Sequence, residues 1–150
     1  NAESNSGGRT RCRADRIDEL ASGGGAVLDY KTGMLPSMKQ VREMLAPQLP
    51  LEGAILSAGG FDGVAALTPE ELTYLRLTGG AEPGEERSIE DAALLSEKAA
   101  RELAEHITLF DDETTPYPSR VRPYRSDVAG DYDHLARVRE WSLTGWADTE

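Results

Sequence analysis

The chain has 150 residues, 39% of them hydrophobic and 29% charged, which suits one domain with a modest core and excludes a disordered chain. No apolar run approaches the roughly 18 residues of a membrane-spanning helix. A net charge of −11 excludes a protein that coats duplex DNA nonspecifically, because such binding relies on lysine and arginine neutralising phosphates. The lone cysteine, Cys12, excludes an internal disulfide framework and a thiolate cluster, and fits a cytoplasmic protein.

The first eight residues, NAESNSGG, are expected to be a flexible leader, with Asn1-Ala2 a tag-cleavage scar, so that the domain begins inside a larger protein. Residues 9–20 read as an irregular strand in which Cys12, Ala14 and Ile17 alternate with charges. ASGGG at 21–25 is a permissive turn and 26–31 a second strand, and together they make a hairpin. Ser37 is placed to cap a helix running to about Leu45. Pro47 and Pro50 interrupt, and QLPLEGAILSA restarts as an apolar helix, with Pro50 tolerated in its first turn. ELTYLRLTG at 71–79 reads as a third strand and AEPGEER as a loop. Ser88, with Asp91 three residues on, reads as the cap of a long amphipathic helix over 89–110, whose apolar residues at 92, 95, 99, 103, 107 and 110 fall at helical spacing. TTPYPSRVRPYR is an extended, proline-rich arm carrying Arg120, Arg122 and Arg125, and DYDHLARVREWS at 131–142 a terminal helix. Residues 9–142 are expected to form the domain and 143–150 a polar tail.

The charge is unevenly spread. Residues 49–118 carry 4 basic against 15 acidic side chains, whereas residues 1–48 carry 7 against 6. The acidic middle reads as a solvated face, and the hairpin region stays compatible with an anionic substrate.

In a strand, residues i and i+2 share a face, so Asp29 and Lys31 in LDYKTG lie together and Tyr30 points the other way. Asp15 and Asp18, in RADRID on the paired strand, are the acids that a hairpin can bring near Asp29. Two carboxylates and a main-chain carbonyl offer hard oxygen ligands suited to Mg²⁺ or Mn²⁺. A lysine beside them is placed to orient a water. Against this stands the simpler reading of D-x-K as an ordinary strand-end ion pair, since the tripeptide is common by chance. For Asp18 the rivals are a salt bridge with Arg16 or Arg13 and a supporting place behind the metal ligands. For Gln48 the rival is a helix-start hydrogen bond near Pro47.

RADRID, then VLDYKTG, then QLPLE together resemble the nuclease module of the PD-(D/E)XK superfamily in its RecB-like branch. That branch carries an acid in a G-x-x-D element, a D-Y-K-[TS] element and a Q-x-x-x-Y element on the next helix. The tail, TPYPSRVRP…GDYDHLARVREWS, is similar to the C-terminal end of the AddB family of helicase–nuclease subunits. The resemblance implies a restriction-endonuclease-like α/β fold, a mixed sheet begun by the hairpin and flanked by helices. It also implies Mg²⁺-dependent phosphodiester hydrolysis, with Mn²⁺ as a substitute. It assigns Asp15, Asp29 and the Tyr30 carbonyl to the metal, Lys31 to the water or scissile phosphate, and Gln48 to the site, with Asp18 behind. It implies DNA and an AddA-like helicase–nuclease subunit as partners, in double-strand break processing, with no membrane association.

Three departures from the family pattern stand out. Cys12 replaces a glycine, a small change of bulk. Glu52 replaces the tyrosine of the glutamine motif, so an aromatic role there is lost. A further Glu or His ligand, carried in the family by a helix upstream of the hairpin, is expected before residue 1, which predicts weak metal affinity and feeble activity for these 150 residues alone. The cysteines that hold an iron–sulfur cluster in some AddB relatives are absent, so no cluster is expected.

Overall fold

In a computed structural model, residues 12–80 and 84–116 are described. The chain divides into two units, residues 1–111 and 112–150. Of the second unit only 112–116 are described. They form a turn in which Asp112 accepts hydrogen bonds from the Thr114 amide (2.9 Å) and hydroxyl (2.7 Å), which hold its carboxyl below the ordinary value. The expected arm beyond residue 116, with its arginines, and the helix at 131–142 lie outside the described residues.

The first unit is a mixed four-stranded sheet with strands in sequence order β1-β2-β3-β4. Strand β1 is Arg16–Glu19, β2 Gly25–Lys31, β3 Pro69–Arg76 and β4 Glu85–Ile89. The helices are α1 (Met38–Arg42), α2 (Gln48–Ser57) and α3 (Ala92–Asp111). The expected hairpin is present: β1 and β2 pair antiparallel, with Arg16 opposite Leu28 and Asp18 opposite Ala26. Gly23, at φ 86°, supplies the left-handed residue that the turn needs. From β2 the chain crosses over through α1 and α2 to β3, which runs parallel to β2 with Asp29 opposite Tyr74.

Several boundaries differ from the sequence-based expectation; β3, for one, runs over Pro69–Arg76 rather than 71–79. Strand β1 spans four residues rather than reaching back to residue 9, and 9–11 lie outside the described residues. The Tyr30 amide, which a longer β1 would have bonded, donates instead to the Asp15 carboxylate at 3.0 Å. The α1 helix is likewise shorter than expected, ending at a cap on Glu43 with Met44 left-handed at φ 54°. Most substantially, EERSI is an edge strand, not a loop leading into a cap. Ser88 lies in β4 opposite Thr73, their hydroxyls 3.0 Å apart, and α3 starts only at Ala92. Glu85, opposite Arg76, and Arg87, which donates to the Pro36 carbonyl at 2.9 Å, give this strand its charged pattern. Charged edge strands of this kind resist pairing with other chains.

The core lies between the sheet face carrying Val27, Leu72, Tyr74 and Ile89 and the helix residues Leu49, Leu56, Ala92 and Leu95. Each fully buried leucine or valine contributes about 1.5–3 kcal/mol. Gly53 marks a close approach of α2 to α3: a Cβ there would meet Ser96 Oγ at 2.2 Å and Leu72 Cδ2 at 3.2 Å. Ser96 cannot simply turn aside, because it is buried and its hydroxyl donates to the Ala92 carbonyl at 2.7 Å. Gly53→Ala is therefore expected to cost about 1–3 kcal/mol, read as a lowered midpoint in urea with an unchanged slope.

Ser37 caps α1 as expected, in a full capping box: its hydroxyl accepts from the Gln40 amide at 3.2 Å while Gln40 Oε1 accepts from the Ser37 amide at 2.8 Å. Ser37→Ala is expected to cost about 1 kcal/mol by the same measurement. Among the described residues no helix is long and apolar enough to cross a membrane.

Candidate active site

The site forms at the C-terminal end of β2, where α2 begins. Alternation along β2 sends Val27, Asp29 and Lys31 to the helix-covered face, and Leu28 and Tyr30 to the other. Asp29 is only 2% exposed, and Lys31, one pleat further on, is partly open to solvent. Gln48 opens α2 and reaches back to both. Its Nε2 donates to Asp29 Oδ1 at 2.8 Å, and its Oε1 accepts from Lys31 Nζ, also at 2.8 Å. Lys31 Nζ lies 3.1 Å from Asp29 Oδ1, in hydrogen-bond geometry, and 2.8 Å from Oδ2. The three side chains close a ring.

Asp15 stands at the edge of this ring through its bond to the Tyr30 amide. In a strand the N–H and C=O of one residue project to the same edge. The Tyr30 carbonyl therefore also faces the side where β1 has ended, while the Lys31 carbonyl faces β3 and accepts from the Leu77 amide at 2.8 Å. Asp29, Lys31 and Gln48 thus meet at the end of β2, with Asp15 attached to them through the Tyr30 backbone.

Asp18 does not join them. Its register position opposite Ala26 puts it on the sheet face away from Asp29, and its carboxylate is ion-paired with Arg16 at 2.9 Å. Register is the reason for Asp18, which shares the face of Ala26, whereas Asp15 lies just before β1 and turns its carboxylate onto the Tyr30 amide. The supporting place expected for it is corrected to the salt bridge with Arg16. The hydrogen bond to Asp18, and after it the nearby Tyr30, raise the Arg16 pKa above its ordinary value.

One residue enters the site that the sequence reading set aside. Glu52 lies one helical turn after Gln48 on α2 and is 2% exposed. Its Oε1 accepts from Gln48 Nε2 at 3.1 Å, so a single amide nitrogen serves both Asp29 and Glu52. Burial, foremost, raises the Glu52 pKa. The hydrogen bond from Gln48 opposes this, the Asp29 and Asp15 charges add to it, and Lys31 again opposes it. The signal was present in the sequence, as an acid at i+4 from Gln48 inside an otherwise apolar helix. Burial, with the Asp29 and Glu52 charges, also pushes the Tyr74 phenol up to about 12. Cys12 lies near enough to Glu52 for that charge to add to burial in raising its thiol pKa.

A divalent cation fits these donors. Two buried carboxylate oxygens, Asp29 Oδ2 and Glu52 Oε2, have no hydrogen-bond partner, and carboxylate oxygen is the hard donor that Mg²⁺ and Mn²⁺ prefer. Among the described residues no group of three or more His, Cys, Asp and Glu side chains is gathered so as to hold a metal. Mg²⁺ does not require such a cage, since it is usually held by one or two carboxylates and keeps several waters.

The mixed sheet with flanking helices is a restriction-endonuclease-like α/β core, and an acid, a D-x-K pair and a helix glutamine converge at one strand end. This is the arrangement of a metal-dependent nuclease fold. The chain belongs to the PD-(D/E)XK nuclease superfamily, whose family model matches residues 7–134. It is similar to an uncharacterized protein of Rickettsia conorii, 44% identical over 48 residues, which are 32% of this chain and 6% of that protein. An uncharacterized protein of Rickettsia felis is 43% identical over 49 residues, 33% of this chain and 6% of the relative. The chain thus matches only a small part of the length of these curated relatives. No solved structure matches.

Proposed function

We propose that this domain is the DNA exonuclease module of an AddB-like subunit, which works with an AddA-like helicase–nuclease partner to process double-strand breaks by Mg²⁺-dependent phosphodiester hydrolysis. The observation that carries the nuclease reading is the ring of Asp29, Lys31 and Gln48, drawn from β2 and α2, with Asp15 fastened beside it on the Tyr30 amide. An isolated strand-end ion pair has no need of the other two residues. The AddB-like reading is supported by the sequence of the tail, TPYPSRVRP and GDYDHLARVREWS.

Asp15, Asp29 and the Tyr30 carbonyl would hold the cation. When bound, it stabilises charge on the phosphate and lowers the pKa of a water. Lys31 has its ammonium held by Asp29 and Gln48 and its side chain partly open to solvent, where it would orient the attacking water or meet a phosphate oxygen. Gln48 fixes the direction of both partners. Because Nε2 serves carboxylates and Oε1 serves the ammonium, only one orientation of the amide satisfies the ring.

The test is degradation of linear duplex DNA by the full-length subunit assembled with its helicase partner. Degradation that requires Mg²⁺ and stops on chelation is the expected result. Intact DNA binding without any metal-dependent cleavage would identify a nuclease-like module that has kept only a docking or DNA-holding role.

A further inference from the structure

Glu52 is a buried acid with no ion pair of its own among the described residues, placed on an apolar helix, and half its carboxylate is unused. Burial of an ionised carboxylate is costly unless something compensates it, and buried polar atoms without partners are rare in native folds. The compensation that Glu52 does receive, one hydrogen bond from Gln48, reaches only Oε1. A glutamine at position 52 would accept that bond equally well through its amide oxygen, without the charge. What requires a carboxylate here is therefore the second oxygen. Gln48 Nε2 bonds Asp29 Oδ1 and Glu52 Oε1, so the two carboxylates lie on either side of one amide nitrogen, and each keeps one buried oxygen with no hydrogen bond, Asp29 Oδ2 beside the Lys31 ammonium at 2.8 Å.

We propose that Glu52 is a direct carboxylate ligand of the divalent cation at this site, sharing it with Asp29 in the place where the family motif carries an aromatic residue. The assignment rests on the reading of the site as a metal-dependent nuclease centre. It explains why an acid is retained beside two others in a buried position. The helix that carries Gln48 then supplies both the residue that orients Lys31 and an anionic donor to the cation.

Calorimetric titration with Mn²⁺ of the full-length chain carrying this domain tests it, with melting curves recorded with and without the ion. Glu52→Gln is expected to weaken Mn²⁺ binding at least about 10-fold, and Asp29→Asn more than that. Without metal, Glu52→Gln melts at or above the wild-type temperature, because a buried charge beside two like charges has gone. Glu52→Asp, which keeps the charge one methylene further back, binds more weakly than wild type and more tightly than Glu52→Gln. A residue that only braced the helix would not give that order. Wild-type affinity in Glu52→Gln, with Asp29→Asn still defective, overturns the assignment and leaves the nuclease reading standing. Mn²⁺ binding unchanged in both variants overturns the two together. Should Glu52→Gln fail to fold, wild-type affinity in Glu52→Asp alone is enough to overturn it.

Discussion

Replacing Asp29 by asparagine is expected to lower Mg²⁺-dependent degradation of linear DNA by at least about a thousandfold, with Mn²⁺ binding lost in parallel. Asparagine has nearly the volume of aspartate and keeps an oxygen to accept from Gln48 and Lys31, while its amide nitrogen takes the place of Oδ2 beside the Lys31 ammonium, so the ring loses its charge and one side of the Lys31 contact. The carboxylate it removes is 2% exposed and carries one of the two buried oxygens that lack a hydrogen bond. The Lys31 ammonium, 2.8 Å from Oδ2, compensates part of that buried charge, and a divalent cation held by the same carboxylate would compensate the rest. Alanine would confuse the result, because it would also strip Lys31 and Gln48 of a shared acceptor. The check is a nuclease assay on the assembled full-length protein beside calorimetry. More than about a tenth of the activity surviving in Asp29→Asn would remove Asp29 from the chemistry and favour a docking role.

The parts of this site that could be read from the amino-acid order are those governed by local rules. Three glycines make a turn, the alternation of Val27, Asp29 and Lys31 sets a face, and D-x-K follows from the period of two. Residues whose position depends on distant pairing were harder to read. Asp15 and Asp18 look equivalent until the register of β1 on β2 is known: it puts Asp18 opposite Ala26, while Asp15 falls before the strand and bonds the Tyr30 amide. Strand β4 escaped because EERSI lacks the apolar alternation of a half-buried strand. Its place at the sheet edge is set by β3 and by Thr73 and Arg76, which pair with it from the next strand. Glu52 was read as the loss of an aromatic residue. Its burial against Gln48 and Asp29 depends on how α2 packs over β2, and Gly53, the close-approach residue next to it, allows α2 to lie near α3. The parallel pairing of β2 and β3 was implied by the fold family and by no single residue.

Lys31→Met is expected to separate binding from chemistry, which Asp29→Asn cannot do. Methionine nearly matches the length of lysine and removes the ammonium, so cleavage should fall about 100- to 1,000-fold while Mn²⁺ binding survives or tightens. The reason is position: Lys31 Nζ lies 2.8 Å from Asp29 Oδ2, an oxygen with no hydrogen bond, and so competes with a cation for the same carboxylate. Without metal the variant leaves Asp29 without its ion pair, and Glu52 without the Lys31 charge that offsets those of Asp29 and Asp15. Breaking a buried pair costs about 3–5 kcal/mol, but 32% of the Lys31 side chain is exposed, so a loss of about 1–3 kcal/mol is expected here. Binding to the native state alone raises stability by mass action, so Mn²⁺ should restore more of the melting temperature in Lys31→Met than it adds to wild type. Melting curves across a Mn²⁺ series, paired with single-turnover cleavage, measure both effects. If Lys31→Met lost Mn²⁺ as completely as Asp29→Asn, the lysine would be a brace for the carboxylate, and the split between holding the cation and acting on the phosphate would not stand.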